Sequence, residues 1–564
     1  MNRLSGAEAF VRMLQLHGVR HIFGLCGDTS LPLYDALYRL DHGITHVLTR
    51  DERSAAYMAD AYARVTGRVG VCEGPSGGGA TYILPGVVEA NESSIPVLAV
   101  TTDIAVGSRG RCVLTELDQE ALFRPLTKWN RVIDRADQIP GAVRAAFRHM
   151  TTGRPGAAHL GLPFDVQRDP VDEAAVHADP TLGAWPARRT APEPAAIDAA
   201  AQAILSAERP LFVCGGGPVI AGAEAELGAL AELLEAPVAT TISGQGSLAE
   251  DHPLALGVIG SNGGTPETRA LVEQADLVVF VGCRAGSVTT ERWRHPAPGR
   301  VRVVHIDVDP AVIGVNYLTE VAVVGDAGLA LAALRDEVAR YLEAPPRRPF
   351  GRERVARAKA EKFAAFAELA RSDEAPIRPE RIVATLQELL PPDALIVADA
   401  GTPCPYLSAY YEFRRAGRHF ITNRAHGALG YALPASVGAQ MGRPAAKCVA
   451  VMGDGSFGFA SGELETIARL ALPIAMIVIA NGTFGWIKAG QKSGFGERYF
   501  AVDFTPGQHA RIAEAYGIKA WRVEDPADLR PTLAKALEAG EPTLVDVVTQ
   551  PLQEARAPVS EWVA

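Results

Sequence analysis

A chain of 564 residues is too long for one hydrophobic core and predicts three domains of roughly 150 to 200 residues each. With 48% hydrophobic and 21% charged residues it reads as a soluble globular enzyme, and a net charge of -10 excludes a general nucleic-acid binder. Cys26, Cys72, Cys112, Cys214, Cys283, Cys404 and Cys448 are scattered and form no CxxC pair. Neither a disulfide framework nor a zinc site is indicated, and a reducing cytoplasm fits.

The N-terminal stretch MNRLSGAEAFVRMLQLHGV predicts an amphipathic helix rather than a signal peptide, because charges interrupt its apolar residues. The longest apolar run, residues 470–480, is about half of what a bilayer span needs, so no membrane partner is expected. Residues 1–170 alternate helices with buried strands (HIFGLCG, THVLT, VGVCE, PVLAV), the pattern of a doubly wound parallel sheet. Proline, alanine and scattered charge from Gln167 to Ala195 read as a linker. A second α/β segment, 190–343, carries PLFVCGGG, PVATTI, LVVFVG and VRVVHIDVD as strands. A proline-basic hinge from Ala344 then leads through a charged helix to a third segment, 370–564. The fold class is therefore α/β, with three doubly wound parallel-sheet domains.

Two places in the first segment carry polar groups where a strand meets a helix. Glu52 opens the helix after THVLTRD, a position that the helix dipole favours for any acid. Glu73–Thr81 is a glycine-rich turn that opens a helix, where the amides of Gly77 and Gly78 can face an anion or serve only the turn. The third segment is the most informative. In KCVAVMGDGSFGFASGELETIARLALPIAMIVIANGTFGW, a strand ends in Gly453-Asp454-Gly455-Ser456, a helix follows, and a second strand ends in Asn481-Gly482. Asp454, the Asn481 amide oxygen and the carbonyl near Thr483 supply three hard oxygens. Such a set suits Mg2+, which fills its remaining positions with phosphate and water.

This pattern resembles the diphosphate and Mg2+ signature of thiamine-diphosphate (ThDP) enzymes, and the whole chain looks like their acetolactate synthase branch. The usual signature ends in two asparagines; here Ala480 replaces the first, and Asn481, the metal-binding one, is kept. The resemblance implies a pyrimidine-binding, a central and a diphosphate-binding domain. It implies that Glu52 is the acid that activates the cofactor by hydrogen bonding its pyrimidine, in a neighbouring chain, so that a homodimer is the minimum unit and a homotetramer common. Leu429, in Gly427-Ala428-Leu429-Gly430, falls where the family places the apolar residue that bends the cofactor. Gly401 and Thr402, after ALIVA, and Phe484 and Gly485, after the metal motif, fall at cofactor-binding positions.

Gln119 is the candidate for a glutamine touching cofactor or substrate. Asp28, Thr29, Gly77, Gly78, Trp486, Lys488, Gln491 and Glu497 are candidates for substrate contact, and the tail QPLQEARAPVSEWVA for a lid. Gly215-Gly216-Gly217, Arg284, Asp307 and Asp309 fall where relatives hold FAD or ADP, although Gln245 stands in place of the family's loop lysine. The implied activity is carboligation or decarboxylation of a small 2-oxoacid, with an aldehyde or ketone as second substrate. The alternative is a 2-hydroxyacyl-CoA lyase or oxalyl-CoA decarboxylase type acting on an acyl-CoA, suggested by Gly490 where acetolactate synthases carry tryptophan. A non-catalytic subunit is a third reading, opposed by the retention of Glu52, Asp454 and Asn481.

Overall fold

The computed structural model describes residues 3–342 and 351–562. The proline-basic hinge expected at 344–350 lies outside the described residues, as do the first two and last two residues of the chain. Two compact units form, each with its own core.

The first unit comprises Met1–Arg188, Asn423–Ala445 and Ala460–Leu472. Its sheet holds β1 (His21–Gly24), β2 (Thr45–Leu48), β3 (Gly70–Gly74), β4 (Val97–Asp103), β5 (Trp129–Val132) and β6 (Ala158–Pro163). All pairings are parallel, in the order β2-β1-β3-β4-β6-β5. The strands are near-continuous apolar runs because helices cover both faces. On one face Phe10, Met13, Leu14 and Phe147 are sealed against Val71, Leu98 and Leu160.

The segment 167–195 departs from a free linker. Pro170–Asp172 pairs antiparallel with Arg3–Ser5, Leu182 joins the core, and Trp185 Nε1 donates to Arg68 O at 3.1 Å. Apolar residues inside proline-rich sequence found burial, and a helix begins at Pro194.

Helices α1 (Glu52–Thr66), α2 (Leu84–Glu92) and α3 (Ala432–Gly442) also belong to this unit. α3 lies directly on α1: a Cβ at Gly438 would stand 1.9 Å from Met58 O. Such backbone-to-backbone approach is possible only with a glycine at the crossing.

The second unit comprises Arg189–Thr422, Ala446–Phe459 and Pro473–Ala564 and contains two parallel sheets. The middle one holds β7 (Pro210–Cys214), β8 (Val238–Thr240), β9 (Ala255–Val258), β10 (Leu277–Val281), β11 (Arg302–Asp307) and β12 (Val321–Val324). Its order, β9-β8-β7-β10-β11-β12, is that of a dinucleotide-type fold. The last sheet holds β13 (Leu395–Ala398), β14 (Phe420–Thr422), β15 (Cys448–Gly453), β16 (Ile474–Ala480), β17 (Lys519–Val523) and β18 (Thr543–Val548). Its order, β14-β13-β15-β16-β18-β17, repeats strand for strand that of the first sheet. The three parallel sheets with interleaved helices match the α/β class expected from the sequence.

Strand order reverses between β1 and β3 in the first sheet and between β13 and β15 in the last. Ligands bind outside the carboxyl ends of strands at such switch points. Among the described residues no helix is long and apolar enough to cross a membrane.

Replacing Gly438 by alanine drives a methyl into the Met58 carbonyl, and overpacking of this kind costs roughly 1–3 kcal/mol. Calorimetric unfolding of Gly438→Ala is expected to show a lower midpoint than the parent.

Candidate active site

β15 and β16 run side by side and parallel, and their carboxyl ends are tied by one side chain. Asp454 opens α4 (Asp454–Ala460) and is 5% exposed. Its Oδ2 accepts from the backbone N–H of Asn481 at 2.8 Å and of Gly482 at 2.6 Å, while Oδ1 accepts from Gly455 N at 2.9 Å. Burial raises its pKa, and the three amides oppose that rise by favouring the charged form. Asn481 is fixed in turn, its Oδ1 accepting from Thr483 N at 3.3 Å, and Thr483 Oγ1 donates to Val502 O at 2.9 Å.

Gly455 is required here because a Cβ would stand 2.8 Å from the Phe484 ring, which packs edge-on against Phe504. At Gly453, and at Gly401 beyond the neighbouring strand β13, a Cβ would meet nothing within 4 Å. The tips of β13 and β15 thus border open space.

These residues fit a hard divalent cation with an anion beside it. Carboxylate, carboxamide and backbone carbonyl come together from adjacent strand tips, with glycines where a phosphate would approach. Among the described residues no group of three His, Cys, Asp or Glu is placed to hold a metal, so an ion here would draw on the mixed set Asp454, Asn481 and the Thr483 carbonyl. Thr402 and Ser456 are buried at the same strand ends, at 7% and 5% exposure.

α5 (Gly485–Phe495) follows directly, and several of its predicted substrate contacts are engaged within the protein. Gln491 brackets Phe500, donating to its carbonyl at 3.0 Å and accepting from its amide at 3.1 Å. Lys488 pairs with Asp503 at 2.6 Å, and Glu497 is exposed with left-handed backbone (φ 59°). Trp486 packs edge-on against Trp562 of the tail, whose centroid lies 5.0 Å away. The tail itself folds back: Gly263 N donates to Pro558 O at 2.9 Å, and Ser560 Oγ donates to Glu291 at 2.8 Å.

The other candidates lie in the first unit. Glu52 is the first residue of α1, capped by Asp51, whose carboxylate accepts from Arg53 N at 2.8 Å. It is 7% exposed in the single chain, and burial raises its pKa. Asp28 is exposed at the start of a short 3-10 helix after β1, and the neighbouring Thr29 joins a chain of hydroxyls, 2.7 Å from Thr102 and 3.1 Å from Ser76. Gly77 has φ 66° and a Cβ there would strike Thr115 at 2.8 Å, whereas Gly78 faces open space.

Gln119 was expected at cofactor or substrate. It is 1% exposed, its Oε1 accepting from Thr101 Oγ1 and its Nε2 donating to Thr102 O at 2.9 Å, so both ends of the amide brace the end of β4. Gly427 is exposed and Leu429 half-buried on the loop before α3. Glu89 of α2 holds that loop by accepting from His426 N at 2.8 Å and Ala425 N at 3.2 Å.

Two acids and a histidine escaped the sequence reading, and Glu73 entered it only as the start of the glycine-rich turn. Glu463 accepts from Arg50 N at 2.9 Å, just before α1. Glu89 is clamped by Arg64 at 3.2 Å. Glu73 is buried at the end of β3. His509 is held by buried Asp546 at 3.0 Å, lies edge-on to Phe457, and acts electrostatically on Asp454. An acid in an otherwise apolar strand, as in VGVCE, was the one available signal, and it marked Glu73 alone.

The comparisons with known proteins agree with this geometry. The N-terminal TPP binding domain of thiamine pyrophosphate enzymes matches residues 4–122, the central domain 197–334 and the C-terminal TPP binding domain 399–547. The three domain matches together define an enzyme built to use thiamine diphosphate. A probable acetolactate synthase large subunit of Methanocaldococcus jannaschii is 36% identical over 561 residues, covering 98% of this chain and 93% of that protein. An acetolactate synthase of Arthrospira platensis is 33% identical (97% and 94% covered), and an acetolactate synthase large subunit of Corynebacterium glutamicum 32% identical (97% and 87% covered). The chain belongs to the thiamine pyrophosphate enzyme family, in its acetolactate-synthase-like branch, and is a ThDP-dependent enzyme that forms carbon–carbon bonds.

Asp454→Ala strands the Asn481 and Gly482 amides, and an unsatisfied buried donor costs about 1–3 kcal/mol. Hydrogen exchange in the cofactor-free protein is expected to accelerate at these two amides and stay unchanged in the first sheet. Equal protection in parent and variant would show that the carboxylate does not tie the strands.

Proposed function

We propose that the chain is a Mg2+- and ThDP-dependent carboligase of acetolactate-synthase type, acting on small 2-oxoacids. The observation that carries this reading is the Asp454 carboxylate pinned across two strand tips beside Asn481 and Thr483. When bound, thiamine diphosphate supplies a carbon nucleophile and an electron sink for making or breaking the bond next to a carbonyl.

The chain's own residues hold and orient. Asp454, Asn481 and the Thr483 carbonyl would hold the cation, and the open space beside Gly401 and Gly453 would let backbone amides approach the diphosphate. Leu429 offers an apolar surface to the cofactor's middle. Glu52, partly desolvated at a helix start, would hold the pyrimidine ring by a hydrogen bond that a water-poor setting strengthens. The family resemblance supports a homodimer or homotetramer in which Glu52 serves the cofactor of a partner subunit. Seven free thiols suit a reducing cytoplasm.

The middle domain offers little to a nucleotide diphosphate. At its switch point Gly215 N already donates to Val281 O at 3.0 Å and Gly217 N to Gly282 O at 3.2 Å. A Cβ at Gly215 would stand 2.1 Å from Gly282 O, so the two loops abut. Gln245 turns inward to Glu250 at 3.1 Å. We therefore expect the purified protein to show no flavin absorbance and to release no ADP on denaturation.

The direct test is turnover of pyruvate with ThDP and Mg2+, read as acetolactate. Release of formyl-CoA from a 2-hydroxyacyl-CoA with no acetolactate would instead select the acyl-CoA reading. Glu52→Gln is expected to lower kcat by about 10²–10⁴-fold while calorimetry still detects ThDP binding. Asp454→Ala is expected to lose ThDP binding at micromolar cofactor, and a wild-type binding isotherm for that variant would refute the proposed anchor.

A further inference from the structure

Leu429 lies on a loop with a hinge on each side and a pin at each end. Gly427 (φ 74°) and Gly430 (φ 84°) flank it with left-handed backbone, which glycine enters freely and which would let the segment between them swing. The pins oppose that freedom. At the start of the loop Glu89 Oε2 accepts from His426 N at 2.8 Å, and Ala425 N forks to the two carboxylate oxygens at 3.2 and 3.3 Å. At the far end the Tyr431 hydroxyl donates to Asp60 Oδ2 at 2.5 Å, and its ring packs edge-on against Tyr57. Arg64 joins the two acids, donating to Asp60 at 2.9 Å and to Glu89 at 3.2 Å.

All of these groups belong to the first unit, and Asp60, Arg64, Glu89 and Tyr431 are buried. The partners of Glu89 are all donors: two loop amides, the Arg64 guanidinium and the Ser93 hydroxyl at 2.7 Å. A carboxylate suits that company because it only accepts; a glutamine there would offer one oxygen and turn an NH2 toward another donor. Asp60 and Arg64 stand one turn apart on α1, the helix that Glu52 opens, so one rigid element sets both pins. Glu89 thus spends its carboxylate on a segment 336 residues further along the chain.

We propose that Glu89 is a positioning residue for Leu429. Through the Ala425 and His426 amides it fixes where the loop presents its apolar side chain to the cofactor, and the Arg64–Asp60 pair keeps Glu89 and Tyr431 in step with α1. This rests on the reading of Leu429 as the residue that meets the cofactor's middle. Glu89 acts only through Leu429.

A double-mutant cycle tests that route. Calorimetric binding of ThDP with Mg2+ is compared in the parent, Glu89→Ala, Leu429→Ala and the double variant. Glu89→Ala is expected to weaken binding about 10-fold when Leu429 is present, and by less than about twofold once that residue is alanine. In turnover, kcat is expected to fall about 10- to 100-fold while KM for the 2-oxoacid stays within about twofold, again only with Leu429 in place. Hydrogen exchange in the cofactor-free protein is expected to accelerate at the Ala425 and His426 amides in Glu89→Ala and to recover in part in Glu89→Gln. The amides of β3 and β4 should stay as they are.

Equal losses of ThDP affinity with and without Leu429, or unaltered exchange at the two loop amides, overturn the proposal. If Glu89→Ala fails to fold, Glu89→Gln runs through the same cycle and decides it. A protein that turns over no 2-oxoacid yet shows the coupled ThDP affinities would sink the functional reading and spare the positioning role. Turnover of 2-oxoacids with equal losses in both backgrounds would do the reverse.

Discussion

The last sheet depends on one carboxylate bonded to backbone it does not belong to. In a parallel sheet the strand ends leave amides pointing beyond the last ladder hydrogen bond, and each must find an acceptor. Asp454, at the end of β15, supplies that acceptor to the end of β16. The same act fixes Asn481, whose side chain then closes on Thr483. A site of hard oxygens is thus a by-product of satisfying the sheet's own edge, and it is rigid because the strands are. The cost is a buried negative charge that three amides only partly offset, which is the condition under which a cation gains most by arriving.

Much of this was legible in the sequence. Apolar runs bounded by glycine gave the strands of all three sheets, since buried parallel strands carry little else. Gly453-Asp454-Gly455 and Asn481-Gly482 were legible because each lies at a strand end and the two are joined by one helix. Topology was not. The first and last sheets share one strand order, yet their sequences show no repeat, because strand order is set by crossovers and not by side-chain periodicity. The proline-rich stretch after Gln167 misled for a related reason: composition marks a turn-rich path but not whether Leu182 and Trp185 find a core.

Residues that act through long-range pairing were the least legible. Glu463 reaches Arg50 and Glu89 reaches the loop before α3, each across most of the chain. Gln119 and Gln491 illustrate the converse. Gln119 opens a short helix and Gln491 lies on α5, and both spend their amides on backbone or hydroxyl groups nearby. Where a polar side chain can close a hydrogen bond within its own fold, sequence context alone does not separate bracing from binding.

The close crossing of α1 and α3 has a bearing on biosynthesis. The helix that Gly438 allows to settle onto Met58 is encoded hundreds of residues after the sheet it belongs with, and so is the segment carrying Glu463. A nascent chain that has delivered all six strands of the first sheet still lacks part of its cover, and must shield an apolar helix face until the ribosome has made nearly the whole protein. Cutting the gene between the second and third segments would part α1 from α3, the helix that settles on it.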